Sequence, residues 1–521
     1  MTIHEAFELV LQRRQSGHSA EVDSMFRQIL SADIADCDVW HQLGMMAHQS
    51  GWKEAAVEFF GRAVTINPKS AVLFSNLGHL LSAVGRLEEG VAACRQAIKL
   101  QPDYAEAHNN LGIALGKLER HAQAVEAFRT AVKLKDNYAD AYSNMGNALA
   151  MLDRMEEAVT IYRKALELRP DYANASFNLG VALGRFGRYE EARAACRRAS
   201  ELDPSHTLAD FSRALFHLIE GDFTQGLPLY EVRWETPEFT SPRRNFSQPM
   251  WDGSPLDGRT LLIHAEQGFG DSIQFIRYAT LAAERGGQVI VEAPEALLEV
   301  FFTVKGIGQL VPQGEALPHF DLHIPMMSLP LAFGTTLATI PQSVPYLSAN
   351  APRRAFWRGW LAESDASLKV GLVWAGRPTH TGDRQRSMQL RQFLPIFRVP
   401  DVDFVSLQFD RGIEQIAQLP GRQPIRDASC DIHDFADTAA LVSQLDLVIA
   451  VDTAVAHLAG ALGKPVWVLL PLAPDWRWML GRKDSPWYPT MRLFRQQRAM
   501  EWDPVIVQVR KQLQIFADSR D

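Results

Sequence analysis

Cysteine is scarce: four residues in 521, Cys37, Cys94, Cys196 and Cys430, and no C-x-x-C pair. That excludes a disulfide-stapled scaffold and fits a reducing compartment. A basic excess is lacking too, with 53 lysines and arginines against 61 acidic residues and a net charge of −8. No cationic stripe interleaved with aromatic residues follows a phosphate backbone, so nucleic-acid binding is not expected. No apolar run approaches the roughly eighteen residues of a membrane span. Met1 to Gly17 carries charges inside its only apolar stretch, unlike a secretory leader. The expected location is cytoplasmic. What remains is an ordinary globular mix, 47% hydrophobic and 22% charged, in a length that suits about three to four domains.

Proline and tryptophan are nearly absent from the first part. Five of 28 prolines precede Glu235, and ten of 12 tryptophans lie at Trp234 or later. The early region is Ala/Leu-rich and periodic. Gly44, Gly78, Gly112, Gly146 and Gly180 recur every 34 residues, each after Leu or Met. Phe60, Cys94, Phe128, Tyr162 and Cys196 follow at a fixed offset, then Ala63, Ala97, Ala131, Ala165 and Ala199. Each unit closes at Pro68, Pro102, Asp136, Pro170 or Pro204. Small residues let paired helices approach, bulky ones fill the gaps, and proline stops the second helix. This resembles the tetratricopeptide repeat over five units. Weaker units, around Ala6 to Asp36 with Phe26 and around Thr207 to Glu238 with Tyr230, read as caps. The implied shape is an α superhelix of helix pairs spanning residues 1–236, with a groove for a protein or peptide. Asn76, Asn110, Asn144 and Asn178, with Asn109 and Asn147, lie on first helices. Their amides either bond a peptide backbone in the groove or are ordinary solvated side chains.

From Arg259 strands alternate with helices, which argues for parallel sheets covered by helices. The pattern gives a linker at 237–258, a Rossmann-like lobe at 259–350, an inter-lobe linker at 351–367 holding Arg353, Arg354, Trp357 and Trp360, and a second Rossmann-like lobe with a terminal helix at 368–521. Helices are expected at Glu295 to Val304 and near Leu390 to Phe397. Three loops follow strands, where such sheets bind ligands. The first runs from His264 through Glu266 to Gly268, Gly270 and Asp271; its glycines permit close backbone approach, and Asp271 either acts or merely caps a helix. The second carries Arg377, His380, Arg384 and Arg386; its guanidinium groups are forked donors suited to a diphosphate, or else it is simply a solvated charged loop. The third is Asp452-Thr453-Ala454-Val455-Ala456-His457, where a helix begins with free amides facing outward. His457 is either a ligand or a packed histidine.

The Gly270-Asp271 pair and the run Asp452 to Ala459, followed by Leu462-Gly463-Lys464-Pro465, make residues 260 to 500 similar to a heptosyltransferase-like GT-B glycosyltransferase. A repeat array ahead of such a module also resembles the plan of protein O-linked N-acetylglucosamine transferases. The resemblance implies an α/β GT-B module that moves a sugar from a nucleotide-sugar to a hydroxyl. It implies Asp271 as general base and the segment holding Asp452, Thr453, Ala454 and His457 around the nucleotide-sugar; the needs of such a reaction add His264 or Glu266 as substitute bases and Gly268, Gly270, Arg377, His380, Arg384 and Arg386 as candidate donor contacts. No metal and no cofactor beyond the nucleotide-sugar co-substrate are expected. The attached groove favours a protein acceptor. Two rival expectations are an adaptor whose GT-B part has lost catalysis, and a heptosyltransferase acting on lipopolysaccharide core.

Overall fold

The computed structural model describes residues 36–237, 239–379, 382–409, 411–421 and 424–519. The weak first unit around Ala6 to Asp36, with Phe26, lies outside them apart from Asp36. The chain forms two compact units, Met1–Ala209 and Asp210–Asp521. Among the described residues no helix is long and apolar enough to cross a membrane.

The first unit is built of antiparallel-type helix pairs: α1 (Cys37–Gln49) with α2 (Lys53–Ile66), α3 (Ala71–Ala83) with α4 (Leu87–Leu100), α5 (Ala105–Lys117) with α6 (His121–Leu134), α7 (Ala139–Met151) with α8 (Met155–Leu168), and α9 (Ala173–Arg185) with α10 (Tyr189–Leu202). The periodic glycines explain the pairing. A Cβ on Gly112 would lie 2.6 Å from the Phe128 ring, one on Gly146 2.5 Å from Tyr162, and one on Gly180 2.5 Å from the Cys196 sulfur. Each bulky residue occupies the place a side chain on its glycine would need. The turn inside each pair carries a second 34-residue signal, a residue with positive φ: Gly51, Gly85, Glu119, Asp153 and Gly187.

The second unit begins inside α11 (Thr207–Glu220), earlier than the boundary of 236 read from the repeat pattern. The reason is packing. On α12 (Phe223–Tyr230), Phe223 stacks against Trp487 at 5.8 Å and Tyr230 sits 6.1 Å from Trp476. The 3-10 turn Glu231–Glu235 then sends the fully buried Arg233 to Glu266. Thus the last helices share a core with the α/β part.

Two all-parallel sheets follow. The first has the order β3-β2-β1-β4, from β1 (Thr260–His264), β2 (Gln288–Ala293), β3 (Gln309–Pro312) and β4 (Leu322–Pro325). Its helices are α13 (Phe269–Phe275), α14 (Arg277–Ala283) and α15 (Glu295–Phe301). The second has the order β10-β9-β8-β5-β6-β7. Its strands are β5 (Leu368–Val373), β6 (Val402–Ser406), β7 (Arg426–Asp427), β8 (Leu447–Val451), β9 (Val466–Leu470) and β10 (Met491–Arg495). Strand interiors are buried Val, Leu and Ile, as parallel sheets covered on both faces require.

Three expectations change in detail. The linker at 351–367 contains a helix, α16 (Ala351–Leu361), capped by the Asn350 side chain. It is anchored by the buried Trp357 and by Arg353, which reaches Glu299, Asp434 and Asp437. The helix near Leu390 to Phe397 is two 3-10 turns, Leu390–Phe393 and Ile396–Arg398, since Pro395 has no amide hydrogen to continue a helix. The helix from Glu295 ends at Phe301, short of Val304. Besides the short helical turns Leu329–Ala332 and Asp383–Arg386, the second unit holds α17 (Phe435–Gln444), α18 (Ala454–Ala461) and the terminal α19 (Asp503–Asp518).

Candidate functional site

Strand order picks out the loops that matter. In the first sheet the chain lays β2 and β3 on one side of β1 and then returns to place β4 on the other. In the second, β6 and β7 lie on one side of β5 and β8 on the other. Crevices open where order reverses, at the carboxyl ends of β1, β5 and β8. Those ends carry the three loops read from the sequence.

Two of the loops meet. A Cβ on Gly270 would lie 3.1 Å from His457 Cδ2 and 3.6 Å from Ala454 Cα, a tight fit, so α13 closely approaches the start of α18. Asp271, one residue on, caps its helix and also reaches across to the second sheet. Its Oδ2 accepts from the Gly268 amide at 3.0 Å, a helix cap, and its Oδ1 accepts from Arg477 Nη2. Because the Gly268 amide is taken by Asp271, it is not a free anion donor.

Arg477 is the residue that sequence reasoning missed. It lies in the segment after β9, inside a 3-10 turn at Trp476–Trp478. Its Nη1 donates to Asp475 Oδ1 at 2.9 Å, its guanidinium carbon sits 4.6 Å from the Trp476 ring centre, and its Nε is buried without a hydrogen-bond partner. A signal does exist: Pro474-Asp475-Trp476-Arg477-Trp478 follows a buried strand, as the three chosen loops do.

The charges around Arg477 shape its neighbours. Asp452, at the end of β8, is pushed up to about 6 by burial and then by the nearby Asp475 charge, with Arg386 and Arg477 opposing. Arg477 instead holds Asp475 below the usual carboxylate range, against the cost of burial. His457 is buried, stacks on Trp478 at 5.1 Å and places Nδ1 3.0 Å from the Tyr488 hydroxyl. Burial first, then Arg477, lowers it to about 3, so it stays neutral at ordinary pH. Thr453 Oγ1 and Arg386 Nε are also buried with no hydrogen-bond partner.

The other residues expected at the site scatter. Arg377 and Arg384 are exposed, while Arg386 is largely covered, with Asp383 Oδ1 3.7 Å from its Nε. His380 lies outside the described residues. Glu266 is withdrawn as a substitute base: it is buried, takes two hydrogen bonds from Arg233 at 2.6 and 3.1 Å, and accepts the Met327 amide. His264 is withdrawn as well. It is buried against Phe246 and His323, and burial lowers it to about 3, leaving an imidazole too weakly basic to hold a proton. In the first unit, the asparagine amides link neighbouring repeats. Asn110 Nδ2 donates to Ser75, Asn144 Nδ2 to Asn109, and Asn178 Nδ2 to Asn147; Asn76 Nδ2 lies 3.4 Å from His41 Nε2. Each of these four amide nitrogens thus has a partner in the neighbouring repeat, while the side chains remain partly exposed.

Comparison with known proteins bears chiefly on the first unit. Family models described as tetratricopeptide repeat match residues 38–70, 69–137 and 137–205. Residues 38–205 are tetratricopeptide repeats. Protein FlbA of Caulobacter vibrioides is 28% identical over 331 residues, covering 59% of this chain and 55% of that protein. The chain thus spans about half the length of this curated relative. Since the first unit holds 209 of the 521 residues, the match extends into the second. Among solved structures, YrrB, a TPR protein with an unusual peptide-binding site, is 24% identical and covers 34% of this chain and 93% of its own, with a TM-score of 0.30. A thermophilic TPR protein from Thermus thermophilus is 22% identical and covers 35% and 100%, with a TM-score of 0.32.

Proposed function

We propose that the chain is a glycosyltransferase of GT-B type that moves a sugar from a nucleotide-sugar to a hydroxyl of a protein selected by its repeats. The observation that carries this reading is the meeting of Asp271, from the first sheet, with Arg477 and the start of α18, from the second. A transfer reaction needs a base near the acceptor, cations near the departing diphosphate, and a cleft poor in water. Asp271 supports the first role, and Arg386, Arg477 and the α18 amides support the second. Neutral His457, stacked on Trp478, supports the third by adding no charge to a covered wall.

In this mechanism the acceptor oxygen bonds to the anomeric carbon as the bond from that carbon to the β-phosphate oxygen breaks. The hydroxyl proton passes to Asp271, and the nucleoside diphosphate leaves with the electron pair. Asp452, holding a proton more readily than an ordinary aspartate, suits a sugar hydroxyl better than a phosphate. The tetratricopeptide repeats support a peptide or protein partner. Calorimetry with a panel of nucleoside diphosphates tests the donor half: Arg386→Ala should weaken binding roughly 10- to 100-fold, as loss of a charge-assisted contact does. Equal affinity in the two proteins contradicts it.

A further inference from the structure

The proposed base is already occupied. Asp271 Oδ1 holds Arg477 Nη2, and Oδ2 holds the Gly268 amide. The two bonds differ in kind. Gly268 and Asp271 belong to one helix start, so the Oδ2 bond persists wherever α13 goes. The Oδ1 bond crosses between the loops of two sheets, 206 residues apart in sequence, and depends on where Arg477 points.

Arg477 is placed between competing anions. Its Nη1 keeps Asp475 and its Nη2 keeps Asp271, while its Nε is buried and unpartnered. A buried guanidinium N–H without an acceptor costs free energy until an oxygen reaches it. Thr453 Oγ1, at the head of α18, and Arg386 Nε are likewise buried without a hydrogen-bond partner, with Asp383 Oδ1 3.7 Å from that Nε. The guanidinium lies over Trp476, with Phe275 5.6 Å away, and flat aromatic faces let an arginine slide while keeping its attraction. The charge of Arg477 also reaches His457, Asp452 and Tyr230, none of which is a cation that could hold Asp271 in its place.

We propose that Arg477 is shared between two anions: without donor it holds the Asp271 carboxylate, and a donor's diphosphate takes over its fork, leaving Asp271 Oδ1 open to the acceptor hydroxyl. This inference rests on the glycosyltransferase reading. It orders the reaction, since the base becomes available only after the donor is seated. The Gly268 amide keeps the freed carboxylate in place. No bond to carbon changes in this step; one ion pair is exchanged for another.

The test is a double-mutant cycle on the full chain, with inorganic diphosphate as the probe and calorimetry as the readout. Asp271→Asn removes the competitor and should tighten diphosphate binding about tenfold, because Arg477 is then uncommitted. In an Arg477→Met background the same change should yield only about twofold, the residue of direct repulsion. Arg477→Lys, which keeps the charge and loses the fork, repeats the comparison if the Met protein does not fold, and should give an intermediate gain. An equal gain from Asp271→Asn in every background overturns the sharing. If Arg386→Ala still weakens diphosphate in that case, the donor site stands and only the exchange falls. No diphosphate binding by the unaltered protein overturns both.

Discussion

The two units handle charge in opposite ways. In the repeats, ion pairs lie on the surface: Arg120–Glu88 and Arg129–Glu126 leave 43% to 68% of their side chains exposed. Such pairs contribute about 0–1 kcal/mol each. Cohesion there comes from alanines, glycines and the bulky residues between them. The second unit places charge inside: Arg233 and Glu266 are 0% and 1% exposed as side chains, and Arg477 and Asp271 8% and 22%. Burying charge is costly unless it is paired, and breaking such a pair costs far more than forming it gains. A surface charge tolerates change; a buried one ties distant segments together.

The largest effect should come from parting Arg233 and Glu266. A fragment starting at residue 236 leaves Glu266 unpaired and strips Phe223 and Tyr230 from Trp476 and Trp487. It should fail to give a cooperative melt, whereas one starting at 207 should melt as the intact unit does. In the full chain, Arg233→Met should cost about 3–5 kcal/mol in denaturant unfolding, against less than about 1 kcal/mol for Arg120→Ala in the repeats. Similar losses from both substitutions break the comparison.

Next in size is packing in the repeats. Gly146→Ala sets a methyl 2.5 Å from the Tyr162 ring and should cost about 1–3 kcal/mol. Gly116→Ala, which meets nothing within 4 Å, should not destabilise. Thermal melts of the two proteins check this.

Asp452 gives a pH signature. Its folded value of about 6 lies above the ordinary carboxylate value of 3.8, so folding favours its protonated form. The resulting penalty is absent below pH 3.8, grows between 3.8 and about 6, and is complete above that. Asp452→Asn should therefore stabilise the protein by about 1–2 kcal/mol at pH 7.5 and by much less at pH 4. A gain independent of pH contradicts the assignment. The smallest effect lies in the repeat turns, where Glu119 has φ 60 at a position that is glycine in other repeats. Glu119→Gly should stabilise by about 0.5–1 kcal/mol, read from the same thermal melts.

The repeats were legible because each position recurs, so Gly44 to Gly180 and their bulky partners declare one another five times. The positive-φ turn follows the same rule but is hidden where Glu119 and Asp153 replace glycine. The alternation of the second unit marked its strands, and the strand-end loops marked Gly270, Asp271 and Asp452. Arg477 was missed because its one local mark, a loop after a buried strand, says nothing of its partner Asp271, which is 206 residues away. Glu266 and His264 looked chemical because they flank the right loop. Their neighbours Arg233, His323 and Phe246, which come from other segments, decide otherwise.

The central claim is sugar transfer that depends on Asp271. The most direct measurement compares glycopeptide mass spectra from cells carrying the intact gene and from cells whose only change is Asp271→Asn, with the two proteins present at equal levels. The account expects one or a few proteins to carry a glycosyl mass on a hydroxyl residue in the first cells and to lose it in the second. Identical glycopeptides in both would contradict it.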